Sequence, residues 1–426
     1  MPLKKNFLMI LLTLFCINSQ AQVRDTLRLT ITRVERQIKT DTVYLFSSRV
    51  DTIALQPIKT DTSKVAQDIN PLDLAQSKYQ INFMGSLRTN AYYDFKGMPS
   101  TEGFMPYDIP IGVDDIDGLS SVYLGARQSR LGVEGNANTR VGKIRTYIEV
   151  DFASRSESLL RLRHAYAEWN FFKIGYSWST FIDNASLPTT VDFEGPNSSL
   201  SKRHGIIRYE RKFLEKSTLG VSLESPATDY INPADSLIPN SSKQSNFDVA
   251  GRYKYYNKTG HFQVAGIFRR IEYLNQTKMD ILYGWGILLS TNIKMTKKDI
   301  LFGQYSFGSG IAHYYVGFTD RSLDAVYDPL LEKMTLKYIS GGFLTYTHIF
   351  NPAWRFSITG GTSSIKAKDF EPYNTFKSSM YYASNLFYNP IETITLAFEI
   401  TAGSRTNIDN QKGQSVRASL LASFDF

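Results

Sequence analysis

From Lys78 to the last residue the chain alternates apolar and polar positions in short runs separated by turn residues. The final run is the clearest. Val416, Ala418, Leu420, Ala422, Phe424 and Phe426 are apolar, whereas Arg417, Ser419, Ser423 and Asp425 are polar and Leu421 is the exception. A period of two belongs to a β-strand whose faces meet different surroundings. Runs of this kind predict sixteen strands, at 79–95, 119–136, 141–154, 158–170, 171–181, 203–213, 216–225, 246–257, 260–273, 280–296, 299–308, 332–348, 353–366, 375–389, 391–404 and 412–426.

The connections sort by length. Tight junctions fall at Asn136–Arg140, Asn170–Phe171, Phe213–Glu215, Asn257–Gly260, Thr296–Lys298, Asn351–Pro352 and Asn389–Pro390, where Asn, Gly and Pro supply turn chemistry. Most of the others are long, notably 96–118, 182–202, 226–245 and 309–331. A soluble sandwich has no reason to sort its connections in this way. A membrane-spanning barrel has short periplasmic turns and longer outer loops, with both termini periplasmic when the strand number is even. The fold expected is therefore all-β: a transmembrane antiparallel up-and-down β-barrel of about sixteen strands, over residues 78–426. Closure removes the exposed edges that so many strands would otherwise present. The last strand would pair with the first, with its apolar face on lipid and Phe426 at the periplasmic rim. That residue resembles the terminal aromatic by which outer-membrane barrels engage their assembly machinery.

The start of the chain fits export. In MPLKKNFLMILLTLFCINSQAQ, Lys4 and Lys5 precede an apolar stretch from Phe7 to Ile17, and Ser19-Gln20-Ala21 is a cleavage-like site. Residues 1–21 read as a secretory signal peptide. Its removal takes the single cysteine, Cys16, so disulfides have no part in stability. It also takes the formal charge from +8 to +6 through the two lysines. After it, no apolar run reaches the ~18 residues of a membrane helix. With no Lys/Arg run, the basic balance points to an anionic surface or solute, not to nucleic acid. Aromatic residues make up 13%, among them 26 Tyr and 27 Phe, which suits interfacial girdles around a barrel.

Residues 22–77 differ, being rich in Thr and Asp, with IKTDT at 38–42 repeated at 58–62. Leu27, Ile31, Val34 and Ile38 have helical a/d spacing, against which stand many β-branched threonines. The segment reads as a periplasmic N-terminal extension, either oligomerising or a linker.

The alternation assigns faces to the strands. Ile144, Ile148, Val150 and Phe152 point out, which turns Arg145, Tyr147, Glu149 and Asp151 inward; Ile81, Phe83 and Leu87 point out, which turns Arg88 inward. In SSVYLGARQSRLGVEG the apolar phase changes between Leu124 and Leu131, so a bulge near Gln128–Ser129 is expected, with Arg127 and Arg130 inward. Leu160 and Leu162 send Arg161 and Arg163 inward, and the phase beyond His164 is open. Arg208, Arg252, Arg269 and Arg355 join the inner wall from later strands. An arginine facing lipid at mid-depth costs roughly 2–4 kcal/mol, so lumenal placement is close to forced. The candidate solute-binding wall is Arg88, Arg127, Arg130, Arg145, Arg161, Arg163 and Arg208. Any watery wall needs polar residues, and Arg beside Glu149 and Asp151 is also what simple pairing would produce.

The connection after the fifth strand, IDNASLPTTVDFEGPNSSLSKRHG, carries Asp183, Asp192 and Glu194 among prolines and glycine. Folded inward as a constriction loop, these acids would face the arginines and set up a transverse field selecting charged solutes. An ordinary outer loop is the plainer alternative.

The stretches ARQSRLGVEG (126–135) and LRLRHAYAEWNFFKIGYSWSTF (160–181), followed by DFEGP (192–196), resemble the DcaP-like trimeric porins of Gram-negative outer membranes. The resemblance is distinctive over about 80–215 and generic afterwards. It implies a homotrimer of sixteen-stranded barrels passing small anionic solutes, dicarboxylates among them, with an N-terminal extension that is helical in the family. The outer loop near Ser154–Ser158 is short here, so subunit contact would run through the barrel walls. Lipid bilayer and lipopolysaccharide are the surroundings this implies, without a cofactor.

Three rival functions fit the sequence less well. The histidines at 164, 204, 261, 313 and 348 are scattered, without G-x-S-x-G or metal-ligand spacing, which disfavours an enzyme. An energy-coupled transporter needs a plug domain larger than residues 22–77. An adhesin or receptor would use the outer loops, above all the acidic turn GVDDIDG with Asp114, Asp115 and Asp117, a candidate for calcium.

Overall fold

The computed structural model describes residues 35–39, 42–46, 79–96, 98, 103–112, 119–153, 160–227, 244–275 and 278–426. The chain divides into two compact units, Met1–Ser77 and Lys78–Phe426. In the first, Glu35–Lys39 pairs antiparallel with Thr42–Phe46, so the segment around Ile38 is extended and not helical. The signal peptide, the remainder of residues 22–77, the acidic turn at Asp114–Asp117 and the connection near Ser154–Ser158 lie outside the described residues.

The second unit is a closed barrel of sixteen antiparallel strands, each paired with its sequence neighbours. They are β1 (Tyr79–Asp94), β2 in two pieces (Ser121–Gly125 and Arg130–Thr139), β3 (Gly142–Asp151), β4 (Arg161–Trp169), β5 (Phe172–Trp178), β6 (Arg203–Leu214), β7 (Ser217–Glu224), β8 (Asp248–Asn257), β9 (Gly260–Asn275), β10 (Lys278–Lys294), β11 (Asp299–Ser309), β12 (Tyr338–Asn351), β13 (Trp354–Ile365), β14 (Phe376–Ile391), β15 (Ile394–Asn407) and β16 (Lys412–Asp425). Closure is made by β16 on β1, with Leu420 opposite Ala91 and Phe424 opposite Leu87. Phe426 extends the seam: its N–H donates to Gly85 O at 3.0 Å and its carbonyl accepts from Gly85 N at 2.9 Å.

The alternation sorts side chains as a lipid-facing barrel requires. Ile81, Phe83, Leu87, Ile148, Ile207, Val221, Leu344, Ile358 and Leu420 are exposed on the outside, while Glu149, Asp151, Arg163, Arg208, Arg269 and Arg417 are buried inside. Near the tight turns the outer surface turns aromatic, with Trp169, Phe171, Phe172, Phe213, Tyr255, Phe350 and Trp354 exposed.

Local departures have local causes. β2 breaks at Ala126–Ser129, where Ser129 N–H bonds to Ala126 O at 3.1 Å, a four-residue turn in place of the expected one-residue bulge. The register of β3 on β4 shifts between Glu149 and Val150, so that Glu149 faces His164 and Val150 faces Leu162. Arg163 is the extra residue, and both it and His164 are buried. This explains the lost phase beyond His164. The Asn389–Pro390 step is not a turn: β14 continues through it to Ile391, with the register shifting between Tyr388 and Ile391. Proline lacks the N–H of the ladder and sits where the ladder is interrupted.

Long connections fill the interior. The segment after β5 and the one between β11 and β12 pair through Ser201 N–H to Tyr314 O at 2.8 Å and Val316 N–H to Ser199 O at 3.0 Å. Their apolar residues Phe181, Leu200, Ile311, Tyr314, Tyr315 and Phe318 form a buried cluster with Ala265, Ile267 and Leu288. Burial of this apolar surface holds the connections in place without disulfides. A hairpin, Ala325–Asp328 with Lys333–Leu336, precedes β12, so the expected strand at 332–348 is in fact two elements.

Candidate functional site

The loop after β5 runs across the barrel interior, and its acidic residues determine where it is held. Asp183 accepts from Lys254 Nζ of β8 at 2.7 Å and from Ser290 Oγ of β10 at 2.8 Å, and lies 2.6 Å from His261 Nε2 of β9. Gln304 of β11 donates to Asp183 O at 3.0 Å and to Ser186 Oγ at 2.8 Å. Further on, the backbone N–H groups of Val191 and Asp192 donate to Glu399 of β15 at 3.1 and 2.9 Å. The Asp192 carboxylate accepts from Phe104 N–H and from Tyr381 Oη of β14, each at 3.0 Å. Arg88 of β1 donates to Val191 O at 2.8 Å.

These contacts alter the expected arrangement of charge. Asp183 is paired with the opposite wall, and the Asp192 carboxylate is buried and already bonded, with Arg88 and Arg417 near it, so neither stands as a free acid before the arginine cluster; both are anchors. Burial alone would raise the pKa of Asp183, but the hydrogen bond from His261 and the Lys254 ammonium outweigh it and hold the carboxyl below its ordinary range. At Asp192 burial wins over the Phe104 N–H and the more distant Arg417, and its pKa is raised. Asp192 and Glu194 both line the interior cavity, and of the two Glu194 is the less buried.

That cavity measures about 690 Å³ and is walled by β1 to β6. Its basic side chains are Arg88, Arg130, Arg161, Arg163, Lys202 and Arg203; its acidic ones are Glu149, Asp192, Glu194 and Asp320. Arg161 makes a fork to Asp151 at 2.9 and 2.7 Å, and Arg163 bonds to Glu149 at 2.9 Å and Asp151 at 2.6 Å. Arg130 stands 3.7 Å from Glu149. The loop meets this cluster with an aromatic ring: Phe193 lies 5.8, 5.7 and 5.9 Å from the guanidinium carbons of Arg130, Arg161 and Arg163.

Of the expected wall, Arg88, Arg130, Arg161 and Arg163 come together at the cavity. Arg145 and Arg208 do not. Arg145 sits in a separate cluster, 2.6 Å from Glu134 and 2.8 Å from Glu168, which also holds Lys173 at 2.9 Å. Arg208 donates to Thr180 Oγ1 at 2.7 Å, tying down the start of the loop. Arg127 is the third exception. Its Nε donates to Phe152 O at 3.4 Å, and the turn sends Gln128 inward instead, to Asn90 and Tyr92. Arg203, Trp178, Tyr176, His164 and Phe193 line the cavity unforeseen. Arg203 follows Lys202 at the end of a loop and Phe193 stands between two acids, so each was overshadowed by its neighbours. Among the described residues no group of three His, Cys, Asp or Glu side chains has the geometry to hold a metal ion.

The family model described as DcaP outer membrane protein matches residues 34–426. The chain belongs to the DcaP outer membrane protein family. It is thus an outer-membrane channel of the porin kind, and not an enzyme. Among solved structures it is similar to the outer membrane channel DcaP of Acinetobacter baumannii, at 21% identity and TM-score 0.71, covering 82% of this chain and 98% of that one. It is also similar to an anion-selective porin from Comamonas acidovorans, at 12% identity and TM-score 0.55, covering 82% and 100%. A third similar structure is the trimer form of OmpT, an outer membrane protein of Vibrio cholerae, at 11% identity and TM-score 0.50, with the same coverage. At these identities the likeness is one of fold. No curated protein matches the DcaP-family chain in sequence.

Proposed function

We propose that this channel is a passive diffusion porin for small hydrophilic anions, dicarboxylate-like solutes among them, working as a homotrimer. The observation that carries the reading is the excess of basic over acidic side chains at the cavity, five of the basic ones being arginines. Arginine stays charged at every relevant pH and presents fixed donors that match a carboxylate. A confined wall of one sign concentrates solutes of the other and repels cations. The loop after β5 narrows the path from the opposite side, with the half-buried Phe193 and Glu194 as its contribution, so the transverse field is weaker in acids than three free carboxylates would make it. No energy coupling or cofactor enters this scheme.

The rest of the sequence reading fits the same picture. Residues 1–21 direct export, residues 22–77 extend into the periplasm, Phe426 engages the assembly machinery, and lipopolysaccharide surrounds the outer rim. Swelling of liposomes carrying the purified protein tests the solute class. Succinate should enter faster than an uncharged sugar of similar size, and equal or slower entry contradicts the anion reading. Conductance lost in steps of three would support the trimer.

A further inference from the structure

We propose that Arg203 docks the carboxylate of the permeating anion and sets the preference among anions, and that Trp178 positions it for that task. This rests on the anion-porin reading and assigns it to one side chain.

The cavity guanidiniums differ in what they already hold. Arg163 is committed to both Glu149 and Asp151, and Arg161 forks onto Asp151. Arg130 faces Glu149, and Arg88 donates to the Val191 carbonyl. Among the described residues Arg203 has no carboxylate within ion-pair distance, and its Nε is buried without a hydrogen-bond partner. An unpaired buried donor costs free energy that a ligand oxygen would recover.

What Arg203 does have is a platform. Its guanidinium carbon lies 3.7 Å from the centroid of the Trp178 ring. The two residues are directly opposite in the pairing of β5 with β6, so the backbone ladder builds the stack. Trp178 also meets the His164 ring edge-on, at 5.8 Å and 67°. The Nδ1 of His164, lining the same cavity, is likewise buried without a partner. A stack on an aromatic face attracts the cation but leaves its in-plane N–H donors unused. It also removes the side-chain freedom that would otherwise be lost when a solute binds. A planar guanidinium held this way suits a planar carboxylate, whose two oxygens take two parallel hydrogen bonds, better than a spherical chloride, which meets both N–H groups with a single atom.

The test is block of chloride current by succinate in planar bilayers, with single-channel conductance and ion selectivity read on the same channels. Heat-modifiable migration on gels confirms that each variant is folded. Arg203→Gln should raise the half-blocking succinate concentration by about tenfold or more, in keeping with loss of a charge-assisted bond. Arg203→Lys should retain anion over cation selectivity yet lose most of the block. Trp178→Leu should leave the sign of selectivity unchanged and weaken block severalfold, which a merely structural role would not do. Arg211→Gln, exposed on the outer face of β6, serves as control and should block like wild type. Block retained in Arg203→Gln overturns the assignment while leaving the anion reading intact. A wild-type channel that prefers cations and is insensitive to succinate overturns both.

Discussion

Asp183 and Lys254 stand 2.7 Å apart inside the barrel, one on the loop after β5 and the other on β8. Both are nearly fully buried, and His261 shares the same carboxylate. This contact makes the connection part of the inner wall. Breaking one side of a buried pair leaves the other charge uncompensated, at a cost of about 3–5 kcal/mol. Asp183→Asn should therefore lower the thermal stability of the folded barrel and produce open-channel current noise absent from wild type. Quiet single-channel records from the variant would show that the loop does not depend on this anchor.

The two loop anchors respond to pH in opposite directions. The pKa of Asp183 is depressed, so its stabilisation is present above the ordinary value of about 4 and is lost only as pH falls through the lower folded value. The pKa of Asp192 is raised, so its contribution is complete below the unfolded value and is lost as pH rises through the folded one. Facing Asp192 are Glu399 on β15, Tyr381 on β14, Arg417 on β16 and Arg88 on β1. Open-channel noise should grow as pH rises above the ordinary carboxyl value of about 4, and Asp192→Asn should flatten that dependence. A dependence unchanged in Asp192→Asn would rule out this carboxyl as its source.

Phe193 covers three guanidiniums at once. Phe193→Ala should raise single-channel conductance while preserving the sign of ion selectivity, since the arginines remain. A reversal of sign on that substitution would mean that the ring, and not the charge, orders the path.

The seam between β1 and β16 leaves no room for a side chain at Gly85. A Cβ there would stand 2.6 Å from the Phe426 ring and 2.8 Å from the Arg130 carbonyl oxygen. The ring can swing away but the backbone oxygen cannot. Gly85→Val should reduce the yield of heat-modifiable, folded barrel when the purified protein is refolded in detergent, where the assembly machinery plays no part. Normal folding of Gly85→Val would show that the seam yields.

Strand number, faces and the lumenal arginine cluster were legible because each follows from a period of two and from the cost of charge in lipid. At β4 the same rule lost its phase, because one extra residue at Arg163 changes the parity that follows. Pro390 misled for a related reason, marking an interrupted ladder and not a chain reversal. The roles of Asp183 and Asp192 were not legible at all. A carboxylate opposite an arginine wall and one pinned to a distant lysine look identical in sequence, and only the path of the loop separates them. Arg203 was missed because its partner Trp178 is 25 positions away in the chain and adjacent only through strand pairing.

The sign of ion selectivity is the most direct readout of the arginine-lined cavity. In a planar bilayer with a KCl gradient, the reversal potential should report chloride passing in preference to potassium. Replacing Arg130, Arg161 and Arg163 with Gln in one variant should move it toward that of an unselective pore. A potassium-preferring wild type, or a triple variant indistinguishable from it, would contradict the claim that the arginine-lined cavity sets what passes.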